Sequence, residues 1–277
     1  MSSFEKEYYE ADRFWEGESL SDAGNLLRIQ RTTAFIPEDV KSLADIGCGN
    51  GIFLNYLHDK NPGLQLTGVD RSETALRFVK TSNLPGDIAA IPLSDHSVDC
   101  VSCLEVIEHL PVTVFDQALR ELARVSKQYI IVSTPYSEVL EENHTQCPRC
   151  KSIFNADLHL RNFSVAEIEN LLEPYGYHCV KHELLGERIN YKGHYLFRKI
   201  FYPKQFRQWR SPICPICGYR EAQAPLPTHP VVTESPVMAM NGVHRRSLLS
   251  YVSWLPKTVW PKEKKYYWIL ALYKKAL

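Results

Sequence analysis

Two pairs of cysteines and a series of acids are the residues of this chain that can do chemistry. The pairs are Cys147-Pro-Arg-Cys150 and Cys214-Pro-Ile-Cys217, separated by 63 residues. Each CPxC makes a tight knuckle that presents two thiolates to one ion, and two knuckles complete a tetrahedral site. Cys147, Cys150, Cys214 and Cys217 are therefore expected to hold a structural zinc. A reactive dithiol is the competing reading, but nothing thioredoxin-like surrounds either pair. His144, three residues before Cys147, keeps a mixed ligand set open. The other four of the eight cysteines, Cys48, Cys100, Cys103 and Cys179, sit in apolar settings and read as core thiols.

The acids lead to a second site. In Leu43 to Leu57, LADIGCGNGIFLNYL, an apolar run ends in Asp45, passes through Gly47, Gly49 and Gly51, and continues as Ile52, Phe53, Tyr56 and Leu57 at helical spacing. A ligand can approach such a backbone closely, beside helix-terminal N–H groups that favour oxygen-rich ligands. The turn is not GxxxxGK[ST], which excludes a phosphate-gripping loop, and it is GxGxG where dinucleotide binders have GxGxxG. A carboxylate ahead of the glycines repels a pyrophosphate and attracts an ammonium group. That arrangement suits S-adenosylmethionine.

These residues need elements to carry them. Leu43 to Ile46 reads as a strand end, Leu64 to Asp70 as a second strand, Ser72 to about Ser82 as a helix capped by Ser72, and Val98 to Leu104 as a further strand. A helix from about Val114 to Ser126 and a strand from Tyr129 to Ser133 follow. Regular alternation implies a parallel sheet covered on both faces, whose ligands bind at the carboxyl ends of the strands. Asp45, Asp70, Asp87 and Glu105 all fall at such ends.

With these segments in place, residues of about 40 to 185 resemble a class I S-adenosylmethionine-dependent methyltransferase of the group that includes small-molecule, ubiquinone-biosynthesis-type enzymes. The matching segments are LADIGCGNG, LTGVDRSETAL, GDIAAIPLSDHSVDCVSCLEVIEHLP, IIVSTP and HLRNFSVAEIENLL, in the family's order. The resemblance implies an α/β, Rossmann-like, seven-stranded, mostly parallel sheet with an antiparallel last strand, to which zinc-knuckle lid insertions are added here. It implies that Asp45, Gly47 and Gly49 surround the methionine part of the cofactor and that Asp70 binds both ribose hydroxyls. Arg71, Asp87 and Ile88 would meet the adenine, and Leu104 and Glu105 would line the floor below the sulfonium.

Glu105, Glu108 and His109 form ExxEH. A similar run in small-RNA 2′-O-methyltransferases holds a divalent cation, whereas VIEHLP is widespread among methyltransferases without one. His109 as general base for a hydroxyl acceptor is the reading preferred over a cation, with a helix-positioning role as the plain alternative. His159, in LHLRNFS, is the other catalytic candidate, near the substrate mouth or anchoring backbone. Ser164 would cap the next helix, with Glu167 completing a capping box.

The domain reading follows. Residues 1–40 are cap helices over the cleft or packed on the sheet, 41–185 the core with a first knuckle insertion at 140–160, 186–265 a lid with the second knuckle, and 266–277 the final strand. Lys plus Arg and Asp plus Glu both number 32, so no net field attracts nucleic acid. The N-terminus lacks a secretory pattern and no apolar run reaches a membrane span, so a cytoplasmic protein is expected. Tyr195 to Trp209 and Ser247 to Trp260 are aromatic and apolar, fitting lid packing, a dimer contact or a peripheral membrane surface, and Ala222 to Pro236 reads as an extended connector. The expected activity is methyl transfer to oxygen of a small molecule or glycan. An RNA methyltransferase and a non-catalytic cofactor-binding module are the alternatives.

Overall fold

The computed structural model describes residues 22–191, 209–211, 213–220 and 261–276, together with 9, 10, 15 and 20. Helix α1 (Ala23–Thr33) starts at Asp22, whose side chain accepts from the Asn25 N–H at 2.8 Å. The expected alternation then appears as β1 (Ser42–Ile46), α2 (Ile52–Lys60), β2 (Gln65–Asp70), α3 (Glu73–Leu76), β3 (Ser82–Pro85), β4 (Val98–Leu104), α4 (Val112–Val125) and β5 (Ser126–Pro135). Beyond β5 lie a small hairpin, β6 (His144–Gln146) and β7 (Ile153–Asn155), then α5 (Val165–Asn170), β8 (Tyr177–Leu185), β9 (Arg188–Tyr191), β10 (Lys262–Lys265) and β11 (Trp268–Lys275).

Seven strands form one sheet in the order β3-β2-β1-β4-β5-β11-β8. All neighbours pair in parallel except β11, which runs antiparallel to both β5 and β8. The fold is thus the expected Rossmann-like sheet with an antiparallel last strand. Successive side chains point to opposite faces, so each strand feeds two cores. Ala44, Val101, Ile130 and Ala271 pack on one face beneath Leu119, Leu122 and Ile168. Leu43, Cys100, Ile131 and Leu270 pack on the other with Ile29, Phe53, Leu54 and Leu57.

The sequence suggests a helix from Ser72 to about Ser82, and here the structure differs. Ser72 does cap the helix, but α3 is only Glu73–Leu76, and Ser82–Pro85 is a short edge strand. Asn55 on α2 fixes this change of course, donating to the Phe78 carbonyl at 3.0 Å and accepting from the Lys80 N–H at 2.8 Å. Ser164 and Glu167 form the expected capping box of α5. β9 and β10 pair antiparallel, so the chain leaves and re-enters the sheet region side by side around the 192–261 excursion. Most of that stretch, including 195–208, 222–236 and 247–260, lies outside the described residues, as do most positions before 22. Among the described residues no helix is long and apolar enough to cross a membrane.

Candidate functional site

Strand order reverses at β1, between β2 and β4, the place where open sheets of this kind take their ligands. The glycine turn leaves β1 there. Gly47 and Cys48 donate to the Val69 carbonyl at 2.7 and 3.1 Å, which bends the chain across the end of β2. Gly47 has φ +77°, and a Cβ on it would stand 2.5 Å from Val106 Cγ2. Glycine is required at that position for both reasons.

Asp45 and Asp70 meet at this turn. Asp45 is 3% exposed and accepts from Ser102 Oγ at 2.6 Å. Burial pushes its pKa up to about 7, opposed by that bond and by the charge of Arg28. Asp70, at the end of β2, accepts from the Gly49 N–H at 2.9 Å and from the Ser72 N–H at 2.8 Å. Burial raises its pKa as well, against those two backbone donors. One carboxylate thus spans the glycine turn and the cap of α3.

Three described residues ahead of α1, Tyr9, Glu10 and Trp15, lie against the turn and the cap of α3. Trp15 lies against Gly49, where a Cβ would come within 2.7 Å of its ring, and the Trp15 carbonyl accepts from Asn50 Nδ2 at 2.9 Å. The Tyr9 carbonyl accepts from Ser72 Oγ at 2.7 Å, and Glu10 accepts from the Thr74 N–H at 3.2 Å. Of the residues expected near adenine, Arg71 lies over the Tyr9 ring at 5.2 Å, Asp87 is exposed and accepts from the Ala89 N–H, and Ile88 packs on the core beside it.

Across the crevice, Leu104 ends β4 half-buried, and Glu105 takes a left-handed backbone at φ +57°. Its carboxylate accepts from Ser133 Oγ at 2.7 Å and stands 3.9 Å from the Arg28 guanidinium. Arg28, on α1, Ser102 and Ser133 carry no motif and escape a motif search. The two serines do leave a trace, as polar residues inside the apolar runs CVSCL and IIVST.

Glu108, His109 and His159 come together beside this edge. One polar side-chain atom from each lies within 4.8 Å of the others, and the two imidazoles meet edge to face at 4.9 Å. Glu108 is 1% exposed; Thr134 Oγ1 donates to its Oε2 at 3.2 Å, while its Oε1 has no hydrogen-bond partner among the described residues. Burial and then the charge of Glu105 raise its pKa to about 8. His159 Nδ1 donates to Glu138 Oε2 at 2.5 Å. That bond and the neighbouring acids overcome burial and raise the His159 pKa to about 9. His159 is therefore an imidazolium at neutral pH. A charged imidazole in this position is a hydrogen-bond donor on both ring nitrogens.

The four cysteines also converge. Cys147 and Cys217 Sγ are 3.6 Å apart, as are Cys150 and Cys214 Sγ, and all four lie within 4.8 Å. Tetrahedral zinc with Zn–S near 2.3 Å sets sulfurs roughly 3.8 Å apart, so the donors fit. The two knuckles share one backbone. Lys151 and Gly218 donate to the carbonyls of Cys147 and Cys214, and Cys147 and Cys214 donate to the carbonyls of Ser152 and Tyr219. Lys151 and Gly218, each just after the second cysteine, both have left-handed φ, +62° and +68°. The second knuckle is held to the β6–β7 hairpin by Arg210, whose N–H donates to Thr145 Oγ1 at 3.0 Å, and by Trp209 edge-on to Phe154.

Residues 44–131 match the family described as "Methyltransferase domain". A ubiquinone biosynthesis O-methyltransferase of Bordetella parapertussis is 32% identical over 117 residues, covering 36% of this chain and 47% of that protein. One of the same description from Idiomarina loihiensis is 35% identical over 81 residues, covering 26% and 32%. The chain thus spans about half or less of the length of these curated relatives. A methyltransferase structure from Archaeoglobus fulgidus, described as S-adenosylmethionine-dependent, has a TM-score of 0.51 at 18% identity, covering 90% of this chain and 91% of that one. A structure described as a putative methyltransferase from Bacillus halodurans has a TM-score of 0.53 at 11% identity, covering 90% and 99%. At such identities the structural likeness speaks for the fold.

Proposed function

We propose that this protein is an S-adenosylmethionine-dependent methyltransferase that methylates an oxygen of a small molecule or glycan, with a structural zinc in its Cys₄ site. The observation that carries the cofactor reading is Asp70, which ties Gly49 to Ser72 at the crevice and presents a carboxylate to it. In that position it accepts from two ribose hydroxyls, as acids at this place in related sheets do. Asp45 faces the ammonium end, with Gly47 and Gly49 leaving room for the backbone to close on the ligand. Arg71, Asp87 and Ile88 border the adenine side, while Leu104 and Glu105 form the floor. When bound, the cofactor supplies a methyl group on a cationic sulfur, which a nucleophile attacks in line.

The protein then has to hold the acceptor and manage its proton. Aligning the acceptor oxygen with the methyl carbon supplies much of the rate in such a transfer. His109 takes the hydroxyl proton, and the His159 imidazolium stabilises the resulting alkoxide before it attacks the methyl carbon. An oxygen acceptor agrees with the ubiquinone O-methyltransferases that the chain resembles over 117 residues. Cys147, Cys150, Cys214 and Cys217 clamp two segments of the chain beside this edge and take no part in methyl transfer.

Calorimetry with S-adenosylmethionine tests the pocket. Asp70→Ala should weaken binding at least about a hundredfold, the loss of two charge-assisted hydrogen bonds; unchanged affinity would contradict the ribose assignment. Labelled cofactor incubated with fractionated lysate then identifies the acceptor class, and label found only in RNA would overturn the small-molecule reading. Metal analysis should find one zinc per chain, lost in Cys147→Ser. Four freely reactive thiols in the native protein would remove the zinc.

A further inference from the structure

His159 is held from two directions, and both lead back to the cysteine hairpin. Glu138, three residues past the end of β5, accepts a hydrogen bond from its Nδ1 at 2.5 Å. Asn155 is the last residue of β7, in the hairpin that carries Cys147 and Cys150, and is 6% exposed. Its Nδ2 donates to the Leu140 carbonyl at 3.1 Å and to Glu138 Oε1 at 3.4 Å. Its Oδ1 accepts from the N–H groups of Asp157 at 2.9 Å and His159 at 3.4 Å. One buried amide therefore holds both the backbone of His159 and the carboxylate that its ring leans on. Further along, Leu160 donates to the Glu108 carbonyl at 2.9 Å, which sets the His159 segment against the turn carrying Glu108 and His109.

We propose that Glu138 and Asn155 are positioning residues that fix the His159 ring toward the methyl acceptor, and that through Asn155 the Cys₄ hairpin controls that ring. The role given to His159 rests on the methyltransferase reading; the mechanical link does not. The hairpin is only three residues per strand, β6 with β7, so its own hydrogen bonds hold it weakly. A zinc held jointly by Cys147, Cys150, Cys214 and Cys217 would fix its tip. Asn155, at its base, passes that order to Glu138 and His159. The groups facing His159 are Glu138, Glu108 and His109 from neighbouring segments and Asp157 from its own. Three of these four are acids, so the ring's proton affinity reports how closely they are held.

That affinity is measurable without any acceptor. In full-length protein labelled with ¹⁵N-histidine, the His159 ring signal, assigned by its loss in His159→Gln, should titrate near pH 9. Glu138→Gln should lower its proton affinity about tenfold or more, and Glu138→Asp should restore part of it. Asn155→Ala should lower it about threefold to tenfold. Stripping the metal with an organomercurial and a chromogenic chelator should reproduce the Asn155→Ala shift in wild type and add nothing in that variant. An unmoved His159 in Glu138→Gln would overturn the positioning role, and an unmoved His159 after metal removal would overturn the hairpin's control. If Asn155→Ala does not fold, the Glu138 variants and metal removal still decide both points. Calorimetry on the same samples should give unchanged S-adenosylmethionine affinity. A wild type that binds no cofactor would refute the proposed activity while leaving the titration result standing.

Discussion

Glu121 and Glu108 are two buried glutamates at opposite edges of one sheet, and their surroundings differ in kind. Glu121, on α4 at the amino edge, forks with Arg124 through Nε at 2.7 Å and Nη2 at 2.7 Å, and also accepts from the Ile91 N–H at 2.8 Å. Arg124 spends its remaining donors on the carbonyls of Leu93 and Ile91 and on Asp95. Every charge there has a partner, and the Arg124 bonds hold the Glu121 pKa below its ordinary value. Glu108, at the carboxyl edge, has one side-chain hydroxyl donor, an Oε1 that makes no hydrogen bond among the described residues but stands 4.0 Å from His109 Nε2, and a raised pKa. A satisfied buried network specifies structure, whereas an unsatisfied buried acid in a cleft costs stability and points to function.

The amino edge is most sensitive at Arg124. Arg124→Ala would leave the Glu121 carboxylate and the Ile91 and Leu93 carbonyls without their charged donor and free the loop ahead of β4. It should cost about 3 kcal/mol in denaturant unfolding and leave cofactor affinity unchanged. A loss of cofactor binding at full stability would mean that the two edges do not divide structure from function.

Glu108→Gln probes the other side, with a smaller effect of opposite sign. Because the folded-state pKa of Glu108 is raised from 4.5 to about 8, its ionisation destabilises the fold progressively as pH rises across that window. The amide is neutral throughout. The variant should therefore match wild type near pH 4 and exceed it by on the order of 2 kcal/mol near pH 9, while turnover falls. Equal stability of the two proteins at pH 9 would show that Glu108 is as well served as Glu121.

The same contrast explains what could be read from the sequence. Local patterns carried the sheet: the Gly47-Gly49-Gly51 turn, the acids at strand ends and the alternation of apolar runs placed Asp45, Asp70 and Glu105 at one edge. Two matching CPxC spacings were enough to bring four thiols together. The short strand Ser82–Pro85 was hidden because Phe78 and Val79 continue a helical pattern, and the turn away from it is made by Asn55, more than 20 residues earlier. Arg28, Glu138 and Asn155 were hidden for a related reason. Their roles lie in contacts with residues distant in sequence, Glu105 for Arg28 and His159 for Glu138, and no spacing rule encodes such contacts.

Asp45 is the third case in the comparison, a buried acid that is neither fully satisfied nor abandoned. Ser102 donates to it and Arg28 lies near, yet burial still holds its pKa at about 7, raised from 3.8. Below pH 7 the empty pocket therefore carries a proton on Asp45. On the proposed placement, a cofactor ammonium beside it would favour the carboxylate, binding would expel that proton, and affinity should rise about tenfold from pH 5.5 to 7 and then level off. Calorimetry at pH 6 in two buffers of different ionisation enthalpy should register proton release on binding. Asp45→Asn should bind more weakly with neither the release nor the slope. Binding at pH 6 that releases no proton would place the ammonium elsewhere, and Asp45 would then belong with Glu121 as a structural acid.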